Sequence, residues 1–283
     1  MYKFPIGVML NSFRTTIPDA IERAAALKLK GVQLHMARGE YAPENMTPAR
    51  RRELLDMVRS NGMVISAVCG EQSLGFVHKD KNPELVERAK RILDMARDLD
   101  CTIVTTHIGV IPQDKTSERY NVMQEACYTL AEYADSVNAH FAIETGPEPA
   151  ATLRGFLDDL GSTGVSVNLD PANLVMVTGD DPVQAVYTLK KYIVHTHAKD
   201  GKLLKKGDVE HLYATAAAEQ YHGQFLQEMP LGQGDVNYPK YLAALDEIGY
   251  RGFLTIEREC DDTPGEDIAN AAKYLRELTG QTE

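Results

Sequence analysis

The sequence predicts a single (β/α)8 TIM barrel over residues 1–283, with a long loop after the seventh strand. Eight short apolar segments rich in β-favouring residues alternate with segments that have the apolar spacing of amphipathic helices. Such alternation indicates parallel strands joined by helical crossovers. A chain of 283 residues suits one closed barrel, because these domains commonly have about 250 residues.

Residues that favour helix starts mark several of the boundaries. Thr47 is a suitable N-cap with Pro48 at the first helical position, and Asp181 stands in the same relation to Pro182. The strands are predicted at residues 4–10, 31–36, 64–70, 101–109, 140–146, 165–170, 193–200 and 253–259. The helices are predicted at residues 17–28, 47–60, 82–98, 117–137, 152–160, 181–192, 237–248 and 264–278.

The main alternative fold is an open, doubly wound sheet of the Rossmann type. The residues that follow Gly7 are Val-Met-Leu-Asn-Ser, so the Gly-x-Gly-x-x-Gly turn expected after the first strand is missing. Residues 201–236 form the longest irregular stretch, and in a barrel this stretch belongs to the loops after the strands, which often act as lids. Its middle, residues 210–229, contains an alanine-rich run that predicts a short helix.

Composition narrows the class of protein. The net charge is −11 and no Lys/Arg-rich tract is present, which argues against a general nucleic-acid or anionic-membrane surface. No apolar run approaches the roughly 18 residues of a membrane span, and no signal peptide is expected. The four cysteines are far apart, which is typical of reduced thiols in a cytoplasmic protein. The expected partner is a small molecule, and a homo-oligomer is left open.

Three ionisable side chains share one face of the predicted seventh strand. Because side chains alternate along a strand, His195, His197 and Lys199 point the same way. Two imidazoles and an ammonium group make a poor apolar core, but they suit the wall of a metal or substrate pocket.

Polar residues also end the neighbouring strands, and barrel enzymes build their sites at the carboxyl ends of the strands. Unpaired carboxylates inside otherwise apolar strands would be strongly destabilising, so a bound cation is the simplest explanation. Buried ion pairing with barrel lysines is the alternative. One imidazole and three carboxylates suit one divalent ion such as Mn²⁺, Mg²⁺, Co²⁺ or Zn²⁺. The candidate ligands, which end predicted strands five to eight, are Glu144, Asp170, His197 and Glu257.

Other polar residues near strand ends have two interpretations each. His35 and His107 could contact a substrate, or they could be hydrogen-bonded histidines of the barrel rim. Lys199 could bind a substrate oxygen or phosphate, or neutralise a neighbouring carboxylate. Glu71 and Glu148 lie in predicted loops, where a solvated carboxylate is expected and a functional role is the alternative.

Five short segments carry a resemblance to a known family. The chain resembles the sugar phosphate isomerase/epimerase superfamily of xylose isomerase-like barrels, which includes ketose 3-epimerases, inosose dehydratases and endonuclease IV. The segments lie in the second half of the chain. The first half agrees with the superfamily only in its alternation of strands and helices. They are Ile143-Glu144-Thr145, Asp170-Pro171-Ala172-Asn173, His197-Ala198-Lys199-Asp200, Leu231-Gly232-Gln233-Gly234-Asp235 and Ile256-Glu257-Arg258-Glu259.

The resemblance implies roles for particular residues. It implies that the four candidate ligands hold the metal, with His195 as the alternative histidine ligand, and that Glu144 and Glu257 also act as acid and base. The expected substrate-binding residues are His35, His107, Asn173, His195 and Lys199.

Asn173 marks a departure from part of the family. Endonuclease IV-like members hold three zinc ions and have a histidine at this position, and ketose 3-epimerases have a substrate-binding histidine there. One metal rather than three is therefore expected, and DNA cleavage is not.

The resemblance and the candidate ligands together predict a metal-dependent sugar isomerase or epimerase that acts on a keto-sugar through an enediolate. An inosose-type dehydratase is the first alternative, since it shares the enolisation step. A non-catalytic sugar-binding barrel is the second.

Overall fold

Eight parallel strands close into a barrel in the order β1-β10-β7-β6-β5-β4-β3-β2. The computed structural model describes residues 2–73, 75–209, 225–259 and 262–281. The barrel strands are β1 (Ile6–Met9), β2 (Gly31–His35), β3 (Val64–Cys69), β4 (Ile103–Thr106), β5 (His140–Glu144), β6 (Val165–Leu169), β7 (Ile193–Ala198) and β10 (Leu254–Ile256). The predicted (β/α)8 barrel is confirmed.

Helices follow the strands and pack around the barrel. Several begin as predicted: Thr47 Oγ1 accepts a hydrogen bond from the backbone N–H of Arg50, and Asp181 Oδ1 accepts one from Val183. The helices are α1 (Ile17–Ala26), α2 (Pro48–Ser60), α3 (Asn82–Asp98), α4 (Glu118–Ser136), α5 (Ala150–Leu160), α6 (Pro171–Asn173), α7 (Pro182–Leu189), α8 (Tyr238–Glu247) and α9 (Pro264–Thr279). None of those that the structure describes has the length and apolar character needed to cross a membrane.

The predicted strands extend past the observed ones, mainly at their carboxyl ends. The fourth was predicted at residues 101–109, and β4 covers only Ile103–Thr106. The apolar pattern continues into Ile108, which is buried in the rim rather than paired in the sheet. After β6, the chain turns through α6 into a π-helix at Leu174–Thr178, and neither element was predicted.

Part of the long segment after β7 has regular secondary structure. Strands β8 (Asp200–Leu203) and β9 (Leu226–Met229) form an antiparallel pair outside the barrel. The predicted short helix in the alanine-rich part of residues 210–229 lies outside the described residues, which omit 210–224. The carboxylate of Asp200 accepts hydrogen bonds from the backbone N–H groups of Gly232, Gly234 and Val236, so it fastens the returning chain to the end of β7.

Candidate metal centre

Four ionisable side chains meet at the carboxyl end of the barrel. Glu144 ends β5, Asp170 directly follows β6, His197 lies in β7, and Glu257 directly follows β10. Each offers one ligand atom, and these atoms all lie within 4.8 Å of one another. His197 and Asp170 are fully buried, and the side chains of Glu144 and Glu257 are 9% and 11% exposed.

The imidazole of His197 stands among the three carboxylates. Its Nδ1 is 3.3 Å from Asp170 Oδ2, 3.5 Å from Glu144 Oε1 and 3.3 Å from Glu257 Oε2. Three buried carboxylates around one nitrogen leave an excess of negative charge, which a cation would stabilise. Carboxylate oxygens with one imidazole nitrogen are a donor set that suits a divalent ion. The cluster could therefore hold a metal.

Burial and mutual attraction set the pKa values in this cluster. Burial opposes the charge of each group, but His197 and His107 hold the pKa of Glu144 below its ordinary value. His197 and Lys199 hold the pKa of Glu257 well below the ordinary range despite burial. Against the same burial, Glu257 and Glu144 raise the pKa of His197 well above its ordinary value. Burial dominates at Asp170 and raises its pKa.

The turn after β6 fixes two of the ligands. Asp170 Oδ1 caps α6 by accepting from the backbone N–H of Asn173 at 2.9 Å, which leaves Oδ2 to face His197. Asn173 Nδ2 donates to Glu144 Oε1 at 3.1 Å. Asn173, expected to bind substrate, thus contacts one of the candidate ligands.

A second histidine stands next to the cluster. Glu71 Oε2 accepts from the backbone N–H of His107 at 2.8 Å and lies 3.4 Å from its Nδ1, while Nε2 of His107 is 3.9 Å from Glu144 Oε1. Although burial acts against the charged form, Glu144 and Glu71 raise the pKa of His107 to about 9. The expectation of a solvated Glu71 is wrong, because its side chain is only 21% exposed and bonded to His107.

Neither His35 nor His195 belongs to the four-residue cluster. His35 ends β2 with its side chain exposed at the rim, and its backbone N–H donates to Asn11 Oδ1. His195 is buried below the cluster, with Nδ1 2.8 Å from Asn168 Oδ1 and Nε2 2.9 Å from Thr255 Oγ1. Both ring nitrogens of His195 are thus engaged within the protein, which leaves neither for a metal or a substrate in this arrangement. Substrate contact by His35 stays a prediction.

Lys199 is paired with acids. Its ammonium group lies 3.0 Å from Glu257 Oε2, also contacts Glu259, and is 3.9 Å from Glu228 Oε2. Burial opposes this charge, but the carboxylates raise the pKa of Lys199 well above its ordinary value. Of the two interpretations of Lys199, the geometry favours neutralisation of a neighbouring carboxylate.

Glu148 is a buried acid in the loop after β5. The residue is 4% exposed, and its Oε2 accepts a long hydrogen bond, at 3.4 Å, from the backbone N–H of Ile111. Burial raises the pKa of Glu148 to about 8. The expectation of a solvated carboxylate is therefore wrong here also, since the loop folds inward.

Two amide side chains beneath the cluster were not predicted as site residues. Gln33 Oε1 lies 3.1 Å from His197 Nε2, and Asn168 Nδ2 donates to Glu144 Oε2 at 3.0 Å. Both amides interrupt apolar strands, which is the same signal that pointed to the carboxylates.

Fold and site together define a parallel (β/α)8 barrel with a buried candidate metal centre at the carboxyl ends of its strands. The family model described as xylose isomerase-like TIM barrel matches residues 21–278. The chain belongs to this family.

Solved structures with the same fold cover nearly the whole chain. A xylose isomerase domain protein from Planctomyces limnophilus aligns with a TM-score of 0.79 and 27% identity, over 98% of this chain and 96% of that one. A D-psicose 3-epimerase studied in the presence of D-fructose aligns with a TM-score of 0.74 and 16% identity, over 98% and 100%. A xylose isomerase-like barrel protein from Mycobacterium smegmatis in complex with magnesium aligns with a TM-score of 0.73 and 18% identity, over 99% of this chain and 99% of that one.

Curated relatives match part of the chain. An inosose dehydratase from Clostridium perfringens is 27% identical over 178 residues, which is 57% of this chain and 58% of the relative. The match thus spans under two thirds of the relative's length.

Proposed function

We propose that this protein is a divalent-metal-dependent enzyme that isomerises or epimerises a keto-sugar or sugar derivative through an enediolate. The observation that carries the proposal is the convergence of two glutamates, Glu144 and Glu257, on His197 Nδ1 together with Asp170. The four side chains would hold one ion of Mn²⁺, Mg²⁺, Co²⁺ or Zn²⁺. When bound, such an ion polarises a substrate carbonyl and stabilises negative charge on its oxygen.

The two glutamates would supply the acid and base. Isomerisation or epimerisation requires one group to take the proton from the carbon beside the carbonyl, with the C–H electrons moving to the carbonyl oxygen. A group must then return a proton to carbon, on the other face for epimerisation. Glu144 and Glu257 both have lowered pKa values, so each is ionised and has the free lone pair that a base needs.

The surroundings of the two glutamates differ. Glu144 accepts hydrogen bonds from the amides of Asn168 and Asn173, whereas Glu257 is paired with the ammonium group of Lys199. These contacts orient each carboxylate, and proton transfer of this kind typically contributes about 10²–10⁴-fold to a rate. The shared fold of the D-psicose 3-epimerase also supports isomerase or epimerase chemistry. The shared fold of the Mycobacterium smegmatis protein in complex with magnesium supports metal use.

A dehydratase acting on a cyclic polyol ketone is the second candidate. It is favoured by the match to the inosose dehydratase of Clostridium perfringens. The same base would take the α-proton to form the enolate. The enolate electrons would then expel the β-hydroxyl group, which leaves as water by taking a proton from the protonated glutamate. Since the first step is shared, the site residues are the same for both candidates.

Deuterium exchange tests the proposal without a guess about the product. Protein supplied with Mn²⁺ is incubated in D₂O with a panel of keto-sugars and inososes, and label at the α-carbon is measured by mass spectrometry and NMR. We expect incorporation for at least one substrate class, and near-complete loss of it in Glu144→Gln and Glu257→Gln. Glu118→Gln, a change at an exposed acid in the first turn of α4, is the matched control and should exchange at the wild-type rate.

The products separate the candidates. Dehydration removes the mass of water and creates an enone absorbance, whereas isomerisation and epimerisation do neither. Retention of near-full exchange in either Gln variant would remove that glutamate from the mechanism. A protein that takes up no divalent metal would favour the remaining alternative, a non-catalytic sugar-binding barrel.

A further inference from the structure

We propose that Gln33 is a positioning residue that holds the imidazole of His197 with its Nδ1 directed at the other three candidate ligands. The inference rests on the proposed metal binding by the four-residue cluster. It assigns a role to a fully buried amide in β2, which is separated from β7 in the barrel by β1 and β10.

The side-chain amide of Gln33 has a partner at each end. Its Nε2 donates to Thr105 Oγ1 in β4 at 2.9 Å. Its Oε1 lies 3.1 Å from His197 Nε2. A carbonyl oxygen is an acceptor only, so this contact is favourable when Nε2 of His197 carries a proton.

The side-chain amide of Asn168 also lies beside His197 Nε2, but it presents an N–H donor rather than an acceptor. Asn168 Oδ1 lies 2.8 Å from His195 Nδ1, while Thr255 Oγ1 stands at His195 Nε2. With the oxygen of Asn168 turned to His195, its Nδ2 lies 3.2 Å from His197 Nε2 and donates to Glu144 Oε2. An amide N–H beside Nε2 favours the tautomer in which Nε2 is unprotonated and Nδ1 carries the proton.

Whether the proton of His197 sits on Nε2 or on Nδ1 matters for metal binding because of the groups that surround Nδ1. Nδ1 faces the carboxylates of Asp170, Glu144 and Glu257, which are good acceptors for an Nδ1 proton. A metal ion needs the lone pair of Nδ1 instead, and the remaining ring proton must then sit on Nε2. Gln33 Oε1 is the acceptor for that proton, so it holds the ring with Nδ1 directed at the metal site. Groups of this kind, behind a metal-binding histidine, typically alter metal affinity by about 10–100-fold.

The competing explanation is that Gln33 is simply a buried polar group with satisfied hydrogen bonds. In that case its replacement would lower the free energy of unfolding without a specific effect on metal affinity. Two variants separate the explanations. Gln33→Leu removes the acceptor, and Gln33→Glu keeps an oxygen acceptor at the same place. Ser166→Ala is the matched control, because Ser166 is a fully buried polar residue in β6 that bonds to Thr163 O and His140 rather than to the cluster.

The experiment measures Mn²⁺ and Zn²⁺ affinity of metal-free protein by calorimetry and chelator competition, with urea unfolding of the same metal-free samples. We expect Gln33→Leu to bind both ions about 10–100-fold more weakly, while Gln33→Glu binds at least as tightly as wild type and Ser166→Ala is unchanged. Nitrogen-15 NMR of the zinc-loaded wild type should show the proton of His197 on Nε2. If Gln33→Leu does not fold, Thr105→Val, which frees the Gln33 amide, should weaken metal binding in the same direction.

The outcomes separate a failure of the role assigned to Gln33 from a failure of the proposed function. Wild-type protein that binds neither ion contradicts the proposed function. Wild-type protein that binds metal, with a folded Gln33→Leu variant of equal affinity, contradicts the role of Gln33 alone. A zinc-loaded protein with the His197 proton on Nδ1 contradicts it as well.

Discussion

Replacement of Glu148 by glutamine should stabilise the protein in a strongly pH-dependent way. Glu148 is 4% exposed, and the backbone N–H of Ile111 is the hydrogen-bond donor found at its carboxylate. Glutamine has nearly the same shape and can accept that hydrogen bond, but it carries no charge. The substitution therefore removes the cost of burying a carboxylate and leaves the packing nearly unchanged.

The magnitude follows from the pKa of Glu148, which burial raises from 4.5 to about 8. Between these pH values the carboxyl group is protonated in the folded protein and ionised in the unfolded chain. The free energy of unfolding of the wild type therefore falls as the pH rises from about 4.5, and the loss is complete above about 8. At about 1.36 kcal/mol per pH unit, the full difference is of the order of 5 kcal/mol.

Urea unfolding of the metal-free wild type and Glu148→Gln, at several pH values from 5 to 9, measures this difference. The variant should match the wild type near pH 5 and exceed it by several kcal/mol at pH 9. The control is again Glu118→Gln, which should differ from wild type by less than about 0.5 kcal/mol throughout, because Glu118 is exposed. A stability gain for Glu148→Gln that is the same at pH 5 and pH 9 would show that the buried charge of Glu148 is not the cause.

Three further substitutions test the neighbourhood of the cluster. Lys199→Met should destabilise the protein by about 3–5 kcal/mol at pH 7 in urea unfolding, because it leaves Glu257 without its ammonium partner; a loss below about 1 kcal/mol would contradict this. Gly234→Ala should lower stability by about 1–3 kcal/mol, because its Cβ would lie 2.5 Å from the backbone nitrogen of Gly201. Gly265→Ala should not, because its Cβ would make an ordinary contact with Arg23 Nη1 at 3.8 Å. Asp170→Asn keeps the shape of the α6 cap but removes a carboxylate ligand, so Mn²⁺ affinity measured by calorimetry should fall. The loss should exceed the roughly 100-fold typical for residues that contact the ligands rather than the metal. Equal affinity would exclude Asp170 as a ligand.

Local patterns were enough to predict the barrel. Strand and helix periods, together with N-caps such as Thr47 and Asp181, located the main elements to within a few residues. The strand ends were less well placed, because apolar rim residues such as Ile108 continue the strand pattern after pairing has stopped. The β8–β9 pair was missed because its pairing depends on the distant anchor of Asp200 on the returning backbone.

The candidate cluster could be predicted for a different reason. Carboxylates inside apolar strands are costly, so Glu144 and Asp170 stood out as residues that needed a cation or a partner. The surrounding contacts could not be predicted, because they join residues far apart in the chain. The contact of Gln33 with His197 and that of Glu71 with His107 depend on the closure of the barrel and on the paths of its loops.

The dependence of substrate exchange on one bound metal tests the central claim most directly. Protein stripped of metal with a chelator is titrated with Mn²⁺ in D₂O in the presence of a keto-sugar identified by the exchange screen. We expect no label at the α-carbon without metal, and full exchange once one ion per chain is bound. Full exchange by the metal-free protein, or no exchange at saturating metal, would contradict it.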